Sequence, residues 1–130
     1  MKQVAQEQRV GADKRASGML FVLSTCKTPG KGNEFQQWYV NTHIPDVLST
    51  DQFLGATFWR ADPASPSADP TFIAMYETTK DKLPRVMEVI KASVPKWHGA
   101  GRGNPELKVI HTGMYQKLAA WDGTTKSKAG

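Results

Sequence analysis

Residues 33–43 read NEFQQWYVNTH. Phe35, Trp38, Tyr39 and then Thr42 or His43 recur at helical spacing, so one face of this stretch is apolar and must press on something. Asn33 is a suitable N-cap, and Glu34 suits the positive end of the helix dipole. Upstream, GMLFVLSTC (18–26) is a β-branched and apolar run closed by the turn-forming KTPGKGN. Downstream, FLGATFWRA (53–61) and TFIAMYETT (71–79) read as two strands of a hairpin whose long loop is DPASPSADP (62–70). DKLPRVMEVIKASVPKW (81–97) carries an apolar stripe of Leu83, Val86, Met87, Ile90, Val94 and Trp97. Asp81 can cap it, Pro84 falls in its first turn, and Pro95 is expected to bend or end it. HGAGRGNPE (98–106) is a glycine-rich loop, and LKVIHTGMYQKLA (107–119) is the last strand. The order is βαββαβ. It predicts an α+β, ferredoxin-like fold: a four-stranded antiparallel sheet with two helices on one face.

The strands are apolar on both faces. Met19, Phe21 and Leu23 oppose Leu20 and Val22, and Phe72, Ala74 and Tyr76 oppose Ile73 and Met75. A half-solvated sheet would alternate apolar with polar. Two helices cover one face only, so a homodimer packed sheet to sheet is the expected cover for the other.

Composition bounds the possibilities. At 130 residues, 39% hydrophobic and 22% charged, the chain fits a single domain with one core. We expect that domain at 18–118, between a polar tail at 1–17 and a second tail at 119–130. No apolar run is long enough to cross a membrane, and the polar N-terminus lacks the apolar middle of a secretory signal, so the expected setting is cytoplasmic. The single Cys26 excludes an intrachain disulfide and a thiolate metal cluster. Of the net charge of +5, the first 17 residues hold +2 and the last twelve hold +1. This is a charge for solubility, not a basic stripe on a folded surface, and no nucleic-acid partner is expected.

His43 is the first candidate for chemistry. It lies on the apolar face of its helix, and Pro45 disfavours helical geometry at Ile44, so the helix is expected to break just after His43. The dipole's negative end favours imidazolium while burial favours the neutral ring. These opposed pulls predict a pKa near neutrality, which suits a general acid or base. Asp46 is placed to orient the ring, although it can equally cap the turn that follows. Tyr76 in the third strand and Arg60 at the end of the second are candidates to stabilise an enolate, if both face the helices. Trp38, Tyr39, Phe58, Trp59 and Trp97 are candidates to shape a slot for a flat apolar ligand. His98, a candidate substrate contact, leads the glycine-rich loop with Arg102, which either forms a mobile lid or simply ends the helix with Gly99 as the C-cap, the plainer reading. His111 sits mid-strand on the side of Val109 and Gly113, where it can line the pocket. The three histidines have no metal-ligand spacing, and GAGRG follows a helix, so it is no dinucleotide signature.

The stretch EFQQWYVNTHIPDVL…FLGATFWRA resembles the motif of the EthD-like branch of the dimeric α+β barrel superfamily, which includes polyketide cyclase-like proteins. An aromatic residue precedes a His-x-Pro-Asp step, and an apolar strand ending in arginine follows. The resemblance implies a pocket between helices and sheet with His43 as its principal polar residue. It leaves the chemistry open, because the superfamily holds cyclases, isomerases, dehydratases, monooxygenases and haem binders. The resemblance to the haem binders adds haem ligation as a second role for His111. The expectation is a cofactor-free lyase, isomerase or cyclase acting by proton transfer on a small aromatic or polyketide-like carbonyl compound. A non-catalytic barrel that binds an apolar ligand or haem is the alternative.

Overall fold

The computed structural model describes residues 15–62 and 70–123. Most of the expected N-terminal tail, the middle of the 62–70 loop and the end of the C-terminal tail lie outside the described residues. The elements are β1 (Gly18–Cys26), α1 (Gly32–Trp38), a widened π turn (Tyr39–His43), α2 (Ile44–Leu48), β2 (Gly55–Arg60), β3 (Thr71–Thr78), α3 (Leu83–Gly99) and β4 (Leu107–Gln116). The sheet order is β2-β3-β1-β4 and every pairing is antiparallel. This is the ferredoxin-like α+β arrangement that the order of apolar runs predicts.

Strand pleating sorts the sheet into two faces. Leu20, Ser24 and Cys26 of β1, with Phe72, Ala74, Tyr76 and Thr78 of β3, are buried beneath the helices. Phe35 and Tyr39 come down on them from the first helical run, Val47 from α2 and Val86 from α3. The opposite face carries Met19, Phe21, Leu23, Ile73 and Met75, all partly exposed, and Trp59, which is 56% exposed. No described element covers it.

Four local expectations change. First, the backbone does not break after His43. Ile44 is helical (φ −61°, ψ −46°) although a proline follows it. The Ile44 N–H donates five residues back, to the Tyr39 carbonyl. The extra residue in that turn widens the backbone ahead of Pro45, where a regular α-turn would press the ring on a carbonyl four residues back. Pro45 then falls in the first turn of α2, where no N–H is needed. Secondly, the predicted caps do not form. Lys31 and Lys82 occupy the N-cap positions without side-chain capping bonds, and Asn33 lies inside α1.

Thirdly, α3 runs through Pro95 to Gly99, and the left-handed residue that closes it is Gly101 (φ 76°), not Gly99. Gly101 N–H donates to the His98 carbonyl at 3.0 Å and Arg102 N–H to that of Trp97 at 2.8 Å. This is the paired bonding of a Schellman motif, and it aims residue 102 back over the helix end. Fourthly, β4 contains a bulge. Leu23 pairs with His111 but Ser24 pairs with Val109, leaving Ile110 as the extra residue. Val109 therefore leaves the face that His111 shares with Gly113.

Candidate functional site

The helical face of 35–43 builds an aromatic cluster between the helices and the sheet. Tyr39 stacks on Phe58 at 4.5 Å between ring centroids, and Phe58 stacks on Phe72 at 5.4 Å. Trp38 stacks on His43 at 4.8 Å, and Tyr39 meets the same imidazole edge-on at 5.0 Å. Trp97 approaches His43 from α3 at 6.1 Å. His43 is thus half-buried among three rings. Neither ring nitrogen has a hydrogen-bond partner among the described residues.

Burial lowers the His43 pKa from 6.5 to about 4, against a smaller upward pull from Asp46. The expected balance near neutrality does not arise, because the helix continues to Leu48 and His43 no longer sits at the dipole's negative end. Near pH 7 the ring is an uncharged proton acceptor with a free lone pair.

Asp46 makes its closest bonds elsewhere. The Arg102 Nε donates to Asp46 Oδ1 at 3.0 Å and to Oδ2 at 2.8 Å. Trp38 Nε1 donates to the Arg102 carbonyl at 2.9 Å. The glycine-rich loop is therefore fastened twice to the helical run that carries His43.

Tyr76 and Arg60 both face the helices, by their register with Ala56 and Phe72. Tyr76 is 1% exposed, and its hydroxyl is buried without a hydrogen-bond partner of good geometry among the described residues, as is that of Ser24. The Tyr39 hydroxyl lies near both and is the group toward which each can make a weak, poorly aligned hydrogen bond. Burial pushes the Tyr76 phenol well above its usual range, with a smaller contribution from Tyr39. It stays a neutral donor. Arg60 Nη1 donates to Asn33 Oδ1 at 3.0 Å and to Gln36 Oε1 at 2.9 Å, and the guanidinium sits over the Phe72 ring. The residues that hold it precede His43 by roughly 10–15 Å of helix.

Two of the candidate residues lie on the other face of the sheet. Trp59 pairs with Ile73 there, and its indole nitrogen donates to Thr57 Oγ1 at 2.9 Å. His111 pairs with Leu23, packs near Phe21 and shares a 2.9 Å hydrogen bond with the Tyr115 hydroxyl. The sheet thus separates His111 from His43. His98, at the end of α3, lines an open cavity of about 310 Å³ with Gly101, Gly103, Asn104 and Pro105. Gly103 lies so close to the His98 ring that a Cβ there would make the imidazole turn aside. Cys26 is buried in the core. Sequence reasoning missed Ser24, whose unpaired hydroxyl only tertiary burial defines, and the pairing of Arg102 with Asp46, which spans 56 residues.

No family profile matches the chain, and no curated protein matches it. Among solved structures, the chain is similar to HapK from Hahella chejuensis, with a TM-score of 0.54 and 9% identity over 82% of this chain and 97% of that one. An ethyl tert-butyl ether d (EthD) family protein from Bacillus halodurans also matches, at a TM-score of 0.47 and 19% identity, over 77% of this chain and 99% of that one. The likeness to HapK shows a shared fold, which is the fold expected from the EthD-like resemblance.

Proposed function

We propose that the protein is a cofactor-independent enzyme that moves a proton on a small aromatic or polyketide-like carbonyl compound, in a lyase, isomerase or cyclase reaction. A His43 ring nitrogen takes the proton from the carbon beside the carbonyl. The electrons of that C–H bond pass to the carbonyl oxygen, and the Tyr76 hydroxyl donates a hydrogen bond to the enolate so formed. The imidazolium then returns the proton to the product. Trp38, Tyr39, Phe58 and Trp97 supply the flat apolar surroundings.

One observation carries this reading: an imidazole flanked by three aromatic rings, with neither nitrogen hydrogen-bonded among the described residues. A histidine kept for structure normally has its polar atoms paired. The Tyr76 hydroxyl, at 1% exposure and without a well-aligned hydrogen bond among the described residues, points the same way. We also propose that the chain works as a homodimer joined through the face that carries Phe21 and Trp59.

Proton–deuterium exchange in D₂O tests the chemistry without knowledge of the natural product. Aryl 1,3-diketones such as benzoylacetone serve as probes, followed by NMR. Enzyme-accelerated exchange that falls by about 10²–10⁴ in His43→Ala is the expected result. Binding of the diketone with no acceleration identifies an apolar-ligand carrier instead. Acceleration that survives His43→Ala removes this histidine from the mechanism.

A further inference from the structure

The Arg102 backbone is shaped from both sides. The Schellman motif at the end of α3 turns the chain at Gly101, and Gly103 lies close against the His98 ring. Between them, Arg102 reaches back to the helical run that carries His43. Its carbonyl accepts the Trp38 indole N–H, and its Nε donates to both oxygens of Asp46. Trp38 is the ring stacked on His43, and Asp46 stands one turn beyond it. A single loop residue thus touches both neighbours of the imidazole and not the imidazole itself.

We propose that Arg102 is a positioning residue for His43: its guanidinium holds the Asp46 carboxylate so that the neighbouring imidazole stays a free proton acceptor, and it does so only while the glycine-rich loop is docked. The groups facing His43 are few. Trp38 and Tyr39 come from its own helical run and Trp97 from α3. The Tyr39 phenol is held neutral, chiefly by burial. Asp46 is the one charge that acts on the ring among the described residues, and it acts upward on its pKa. With Arg102 docked, the Asp46 side chain is 14% exposed, so guanidinium and carboxylate meet largely out of water. Arg102 is 44% exposed and sits between glycines, so it can leave. Departure of the loop bares the carboxylate and favours imidazolium; its return favours the neutral base. Loop position and proton affinity are then one coupled equilibrium.

This inference rests on His43 as the proton-transfer group, but its test reads titration and not turnover. The midpoint of the His43 ring Cε1–H resonance is followed by NMR in the full chain and assigned by its absence in His43→Gln. In Arg102→Gln the midpoint should rise by about one pH unit or more. Adding Asp46→Asn to that variant should return it to the wild-type value or below, since Asp46 already draws the midpoint upward in the wild type. A midpoint unmoved in a folded Arg102→Gln protein overturns the proposal, as does a rise that Asp46→Asn fails to reverse. Should Arg102→Gln not fold, Arg102→Lys keeps the charge and loses the two-oxygen contact; a smaller rise is expected, and no rise overturns the assignment. Loss of the catalytic reading through His43→Ala would leave these titrations as they stand.

Discussion

His43 and Tyr76 are polar groups in apolar surroundings, and each makes a distinct prediction. The His43 pKa of about 4 lies below the 6.5 of a solvated histidine. An unfolded chain therefore takes up a proton at this site near pH 6.5, and the folded chain does not until about pH 4. The site's contribution to stability is complete above 6.5 and is lost as the pH falls toward 4, by about 1–2 kcal/mol once the ring's partial exposure is discounted. Urea midpoints at about pH 5 and pH 7.5 should differ by less in His43→Gln than in the wild type. The acid limb of kcat/KM should fall near 4 for the same reason, and a limb at 6.5 would remove burial as the controlling force. Tyr76→Phe separates catalysis from packing. Its hydroxyl is buried without a well-aligned hydrogen bond among the described residues, so its removal should leave thermal stability unchanged or raise it by about 1 kcal/mol. The same change should slow the diketone exchange by about tenfold or more if the hydroxyl meets the enolate. A loss of stability would reveal a partner for that hydroxyl and weaken its assignment.

Among the elements, the end of α3 offers the sharpest test, because two glycines two residues apart have opposite requirements. Gly101 adopts φ 76° and a Cβ there would meet nothing within 4 Å, so Gly101→Ala should cost about 1 kcal/mol through backbone conformation alone. Gly99 is helical and equally uncrowded, so Gly99→Ala should be neutral or stabilise by about 0.5–1 kcal/mol. Thermal melts of the two variants decide which glycine closes the helix. The sequence alone pointed to Gly99, since both glycines follow the apolar stripe and only the bonding pattern separates them. The strands were legible because β1 is a continuous β-branched and apolar run bounded by turn residues, and its limits at Gly18 and Cys26 agree with the reading. The continuous run through Pro45 was not, because a widened turn leaves no mark in a 3.6-residue period. The bulge at Ile110 was hidden for a similar reason. One inserted residue breaks the period of two, so faces counted from residue identity fail beyond it. The aromatic cluster around His43 was legible because Phe35, Trp38, Tyr39 and His43 share one helical run; Arg102 closes on it through 56 residues of chain that carry no local signal.

At the scale of the whole molecule, the sheet's second face decides the assembly. Met19, Phe21, Leu23, Ile73 and Met75 are partly exposed there, and Trp59 and Tyr115 are 56% and 45% exposed. Apolar side chains gathered on one sheet face in this number favour an interface. A second copy is the occupant that two-fold symmetry makes self-complementary, since each strand row can meet its own mate. A stable interface of this type removes about 800 Å² per partner from water, of which these seven side chains would form the apolar centre and a polar rim the remainder. Phe21 is the residue to change. It lies in β1, one of the two inner strands, and contacts both the His111 and the Tyr115 rings. In Phe21→Lys a two-fold would place two ammonium groups near each other in an apolar seam, a penalty that no rim contact offsets. Light scattering on the wild type at micromolar concentration should therefore give twice the mass of the 14.4 kDa chain, and Phe21→Lys should give the single-chain mass with its far-UV circular dichroism unchanged. A wild type that scatters as one chain would leave this face without a second copy and would break the argument for the barrel-like dimer at its only structural support.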